Sequence, residues 1–183
     1  MRPQPITQPL TQAALFLVVT VEDQGDGVRA LLGNIDGLTK AVGFRYPNAR
    51  LSCVIGIGSS LWDRLSPGHR PRQLHPLIPL KGVQRGAVTT EGDLRFHIRA
   101  QELGICFELA RLIRQQLPSG SVVVDEVQGF QYLDQRDLLV FVHGTENPGP
   151  AEVDEVTIIG DEEPDVVGAS NAIVQKYLHD LTA

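Results

Sequence analysis

Residues 93–100 constrain the fold of this chain more than any other stretch. Leu94, Phe96, Ile98 and Ala100 alternate strictly with Arg95, His97 and Arg99. Period two with one apolar side predicts a strand that buries a single face. The residues that follow change period at once. Over residues 102–117, Cys106, Leu109, Ala110, Ile113 and Leu117 recur at helical spacing, and Pro118 and Gly120 end the run. Residues 122–127 return to a strand pattern. A half-buried strand, an amphipathic helix and a second strand must cover one another, because none can bury its apolar face alone.

The same unit is written once earlier. Residues 15–21 form a short β-branched apolar run that predicts a central strand. Val28, Leu31, Leu32, Ile35, Leu38 and Val42 then predict a helix over residues 26–42. Gly33 and Gly37 each cost this helix roughly 1 kcal/mol relative to Ala, which points to close packing or a loose helix. Residues 51–57 read as the next strand, and residues 59–65 as a short helix opened by a serine cap. Residues 66–92 are rich in Pro and Gly, lack a period and are expected to be a long loop. The order β-α-β…β-α-β predicts an α+β fold of the ferredoxin-like (split βαβ) type. Its sheet is antiparallel and four-stranded, with helices on one face. Phe96, Ile98, Cys106, Leu109 and Ile113 are expected inside the core of residues 15–127.

The 183 residues suffice for one domain, or one domain and part of another. With 42% hydrophobic and 21% charged residues, a folded globular chain is expected. A net charge of -6 argues against nucleic acid and against an anionic membrane surface as partners. No run approaches the roughly 20 apolar residues of a membrane helix. The N-terminal Met1-Arg2-Pro3-Gln4-Pro5 leads into a strand pattern rather than a signal peptide. Cys53 and Cys106 sit in apolar segments and read as buried free thiols, consistent with a cytoplasmic protein. The histidines show no C-x-x-C or H-E-x-x-H spacing, so no metal-ligand set is predicted.

Beyond the last strand the chain becomes polar and turn-rich through Gly144-Thr145-Glu146-Asn147-Pro148. An acidic stretch follows at residues 152–165, with a short strand expected at residues 156–159. Another strand is expected at residues 172–177. The predicted organisation is a ferredoxin-like domain at residues 1–135 and an active-site-type loop with acidic linker at residues 136–165. Residues 166–183 then start a second ferredoxin-like domain.

The run Val140-Phe141-Val142-His143-Gly144-Thr145-Glu146-Asn147-Pro148 resembles the active-site loop of the dye-decolorizing peroxidases, haem enzymes with a G-x-x-D-G signature inside F-V-D-G-T-E-N-P. The likeness extends over the chain. It includes Ile55-Gly56-Ile57-Gly58-Ser59, Trp62-Asp63-Arg64-Leu65, Leu74-His75-Pro76-Leu77, Phe96-His97-Ile98-Arg99-Ala100, Val124-Asp125-Glu126-Val127 and Val174-Gln175-Lys176-Tyr177. These strings are similar to the amino-terminal half of actinobacterial members. Val140 stands at the family's first signature Gly, and His143 at its catalytic Asp.

The resemblance implies haem b as cofactor and hydrogen peroxide with small organic reductants as substrates. It also implies a homo-oligomer and an encapsulin shell as a partner. It assigns proton transfer to His143 and contact with the haem edge to Gly144, Thr145 and Glu146. The family's second domain, with the proximal His and distal Arg, lies beyond this region. A second reading is an inactive truncated member that serves at most as an oligomerisation or ligand-binding module.

Other candidates have plainer readings. His97, between two arginines, is expected to be structural, and His75 to belong to loop chemistry. Trp62 reads as a core anchor and Tyr132 and Tyr177 as packing aromatics. Arg136 and Asp137 either position the loop or form a solvated surface pair.

Overall fold

The computed structural model describes residues 4–142, 144–149, 151–179 and 181. Strand β1 (Ala13–Thr20) is central, flanked by β5 (Leu94–Ala100) and β6 (Val122–Phe130). Strand β2 (Ser52–Ile57) pairs with the far side of β5, giving the order β2-β5-β1-β6 with every pairing antiparallel. Helices α1 (Asp26–Gly43) and α3 (Leu103–Gln116) connect strands of this sheet. This is the ferredoxin-like arrangement that the alternation of periods predicts.

One face of the sheet is closed by the helices. Leu15, Leu17, Phe96 and Ile98 are fully buried there against Val28, Leu31, Cys106, Leu109 and Ile113. All five expected core residues therefore lie inside. Burial also pushes the Cys53 thiol up to about 12 and the Cys106 thiol up to about 11, so both stay protonated. Gly33 has open space at its Cβ position, so close packing is not the reason for a glycine there.

The opposite face carries the row Val54–His97–Phe16–Val127 across four strands. His97 stacks on Phe16, with ring centroids 4.4 Å apart and planes 18° apart. Arg95 lies over the other part of the same platform, 5.6 Å from the Phe16 centroid. Arg99 is buried and donates from Nη1 to Gln8 O at 3.1 Å and from Nη2 to Pro5 O at 2.9 Å. The N-terminal segment thus covers one end of this face.

Several local expectations are corrected. Helix α2 (Ser59–Leu65) is capped by Gly58 without a side-chain hydrogen bond, so the serine opens the helix but does not cap it. Its buried anchor is Leu61, while Trp62 is half-buried and donates Nε1–H to His69 O. The long loop holds a small hairpin, β3 (Leu80–Lys81) and β4 (Gly86–Ala87).

The expected strand at residues 156–159 does not form: α4 spans Val153–Thr157, and Ile158 and Ile159 follow it outside any regular element. Its β-branched run has no neighbouring strand among the described residues, and Thr157 Oγ1 instead bonds back to Val153 O. Residues 172–177 form no regular element. Ile173, Val174, Tyr177 and Leu178 are exposed, and Tyr177 is not packed as expected. This segment touches the sheet through Lys176 Nζ, 2.8 Å from Asp125 Oδ1 on β6.

Candidate functional site

The candidate loop leaves the sheet at the end of β6. There Gln131 N–H donates to Gln12 O at 2.9 Å, and Gln12 Nε2 donates to Gln131 Oε1 at 2.7 Å. Gln12 N–H also reaches Gln101 Oε1 at 3.4 Å. The beginning of β1 and the ends of β5 and β6 therefore share the platform from which the loop departs. Phe130 and Tyr132 meet edge to face, 6.4 Å between centroids, so Tyr132 packs as the sequence suggests.

A tight turn follows. Residues Leu133–Gln135 form one 3-10 turn, and Arg136 N–H is shared between Tyr132 O and Leu133 O. Arg136 then bridges to Val142 in antiparallel fashion. Within that bridge Asp137 N–H donates to Phe141 O at 3.0 Å, and Val140 N–H donates to Asp137 O at 3.0 Å. This is the spacing of a hairpin with the three-residue loop Leu138-Leu139-Val140. The third residue of such a loop takes a left-handed conformation, which is the place of a glycine. Val140 occupies it with φ 70°. For a β-branched residue this is a strained backbone.

Two side chains hold the hairpin. The Asp137 carboxylate accepts through Oδ1 from Leu139 N–H and Phe141 N–H, both at 2.9 Å. Arg136 Nη1 donates to Val140 O at 2.9 Å. Arg136 and Asp137 are thus each bonded to loop backbone. Period and composition do not reveal this; the clue in the sequence is an aspartate two residues before the amide it bonds.

His143, the expected proton-transfer residue, lies outside the described residues. Gly144, Thr145 and Glu146 form the next turn, closed by Asn147 N–H donating to Gly144 O at 3.1 Å. Gly144 has φ 81°, a left-handed conformation that favours glycine, and a Cβ there would push the Asn147 side chain aside, 2.8 Å from its Nδ2. All three are exposed. The hairpin also exposes Leu138, Leu139, Phe141 and Val142.

Two other histidines are engaged elsewhere. His97 is held neutral on its strand, with burial first and then Arg99 and Arg95 lowering it to about 4. His69 lies 3.5 Å from Asp165, and Arg72 N–H donates to Glu163 Oε2 at 3.0 Å. The acidic segment is thereby tied to the long loop. Among the described residues, no group of three His, Cys, Asp or Glu could hold a metal ion. No helix among them is long and apolar enough to cross a membrane.

Comparison with known proteins agrees with this geometry. The family description "Dyp-type peroxidase, N-terminal" matches residues 3–131, and "Dyp-type peroxidase, C-terminal" matches residues 134–183. A dye-decolorizing peroxidase of Mycolicibacterium paratuberculosis is 53% identical over all of this chain, which covers 52% of that protein. The encapsulated DyP-type peroxidase from Mycobacterium smegmatis, solved by cryo-EM, superposes with a TM-score of 0.86 at 47% identity. That match covers 91% of this chain and 54% of the other. An aspartate-to-histidine variant of Rhodococcus jostii RHA1 DypB, solved in complex with heme, gives 0.85 at 48% identity, over 91% of this chain and 55% of that one. The chain spans about half the length of the relatives it matches, and it belongs to the Dyp-type peroxidase family.

Proposed function

We propose that this chain supplies the first domain and the distal loop of a haem-dependent peroxidase that oxidises dyes or phenolic-type substrates with hydrogen peroxide. In this reading residues 1–135 are the scaffold and residues 136–165 the loop with its acidic segment. Residues 166–183 open a second domain. The observation that carries the proposal is the loop, a hairpin followed by a glycine turn, both with left-handed residues at defined places.

The residues present fit one edge of a haem. Gly144, lacking a side chain at a left-handed position, lets backbone come close, and exposed Leu138, Leu139, Phe141 and Val142 offer apolar surface to a flat ring. Haem, when bound, supplies the iron at which the peroxide O–O bond is broken. His143 would take the proton from the near peroxide oxygen and return it to the leaving oxygen, a role an imidazole can fill. Thr145 and Glu146 would line the haem edge. The heme complex of the aspartate-to-histidine variant supports haem retention by a relative carrying such a change. The encapsulated relative supports an encapsulin shell, and with it a cytoplasmic homo-oligomer, as the setting of the assembled protein.

The test is complementation. The chain is mixed with hemin, alone and with the carboxy-terminal half of the Mycobacterium tuberculosis relative, which is 50% identical over this region. The pair is expected to show a stoichiometric Soret band and peroxide-dependent dye oxidation above free hemin, and the chain alone neither. A pair that captures no hemin would refute the proposal. The strained Val140 favours a second reading, an inactive member serving as an oligomerisation or ligand-binding module. Hemin capture by the pair without turnover would support it.

A further inference from the structure

We infer that Asp137 and Arg136 are positioning residues that hold the distal hairpin closed against the misfit of Val140. The functional part of this inference rests on the reading above; the structural part does not. The hairpin between Arg136 and Val142 places a valine where a left-handed residue is required, and Val140 adopts φ 70° there. Left to its own preference, a β-branched residue would return to extended backbone and open the loop. Its side chain does not compensate by burial, since Val140 is 56% exposed. The loop therefore needs another source of order.

Two side chains supply that order. One carboxylate oxygen of Asp137 accepts from the amides on either side of Val140, those of Leu139 and Phe141. Arg136 Nη1 closes on the carbonyl of Val140 itself. All three bonds fall on the peptide groups of residues 139–141. Hydrogen bonds with a charged partner are stronger than neutral ones. Both side chains belong to residues at the base of the hairpin, one of which makes the bridge to Val142. These bonds tie the loop to its own stem. Val142 is followed in sequence by His143 and the Gly144–Glu146 turn. The path of the hairpin therefore bears on where the segment leading to the Gly144 turn begins.

Amide hydrogen exchange on the full chain without hemin tests the clamp. D137A is expected to speed exchange at Leu139 and Phe141 by about tenfold, the loss of a charge-assisted hydrogen bond. D137N keeps an oxygen at Oδ1 and is expected to stay within about threefold of the parent. The V140G background removes the misfit, so D137A is expected to have a smaller effect there. Core amides in β1 and β5 serve as the control for folding. Unchanged exchange at Leu139 and Phe141 in D137A, or an equal effect with and without V140G, would overturn the inference. Under hemin complementation, D137A is expected to weaken capture by about tenfold, with recovery in D137N. Amides that respond while hemin capture does not would overturn the positioning role. Failure of the parent pair to capture hemin would instead count against the functional reading, and the exchange result would still decide the clamp.

Discussion

The sheet-and-helix core and the distal hairpin are held by opposite means. In the core, Leu15, Leu17, Phe96, Ile98, Leu109 and Ile113 are fully buried, and β1 and β5, which carry the first four, pair on both sides. In the hairpin, Leu138, Leu139, Val140, Phe141 and Val142 all face outward, and order comes from a carboxylate and a guanidinium bonded to backbone. Burial gives the core its cooperativity, because deleting one large side chain leaves a cavity that the whole domain feels. Polar clamps give the loop a shape while leaving its apolar side chains available. The scaffold and the candidate site can therefore be perturbed separately.

The largest expected effect lies in the core. F96A should cost about 3–5 kcal/mol, since Phe96 is fully buried at the centre of β5. Denaturant unfolding of the variant checks this, and a loss below about 1 kcal/mol would mean the strand face is misassigned.

The next effect is pH-dependent. His97 is lowered to about 4 by burial first and then by Arg99 and Arg95. Its unfolded value is about 6.5. Between these two values the unfolded chain holds a proton that the native chain does not. Stability is then complete above pH 6.5 and falls as the pH drops toward 4, by on the order of 2–3 kcal/mol. H97F keeps a ring on the Phe16 stack and should remove this component, so its stability between pH 6.5 and 4 should be flatter than the parent's. Parallel curves would show that other groups govern the acid response.

A smaller effect separates the two regions directly. V140G should favour the left-handed backbone and steady the hairpin by about 1 kcal/mol of local free energy. The melting temperature of the core should not change. A shift of the core transition by several degrees would mean that hairpin and core fold as one unit. The smallest effect is in α1. Gly33 has open space at Cβ, so G33A should stabilise the domain by about 0.5–1 kcal/mol, visible as a rise in Tm.

The strands and helices of the core were legible because period and burial coincide there. The alternation of Leu94, Phe96 and Ile98 with Arg95, His97 and Arg99 specifies the two faces of β5, and the structure keeps both. Residues 156–159 misled for a physical reason. Val156, Thr157, Ile158 and Ile159 have strand preferences, but a strand needs a neighbour, and α4 forms where none is present. Residues 172–177 carry the same lesson, since they meet the sheet only through the Lys176–Asp125 ion pair among the contacts described. The turn at Gly144 could be read from the Gly-Thr-Glu-Asn-Pro string. The clamp could not, because it depends on where two polar side chains point within a three-residue loop.

Native-state hydrogen exchange across a denaturant series tests the central claim, that a buried core carries a locally clamped, preformed hairpin. Amides of β1 and β5 should exchange only through global unfolding, with a free energy that falls steeply as denaturant rises. The amides of Leu139 and Phe141 should show lower but measurable protection that is nearly independent of denaturant, the mark of a small local opening. Unprotected hairpin amides would contradict a preformed loop. Hairpin amides that follow the steep line of β1 would contradict its independence from the core.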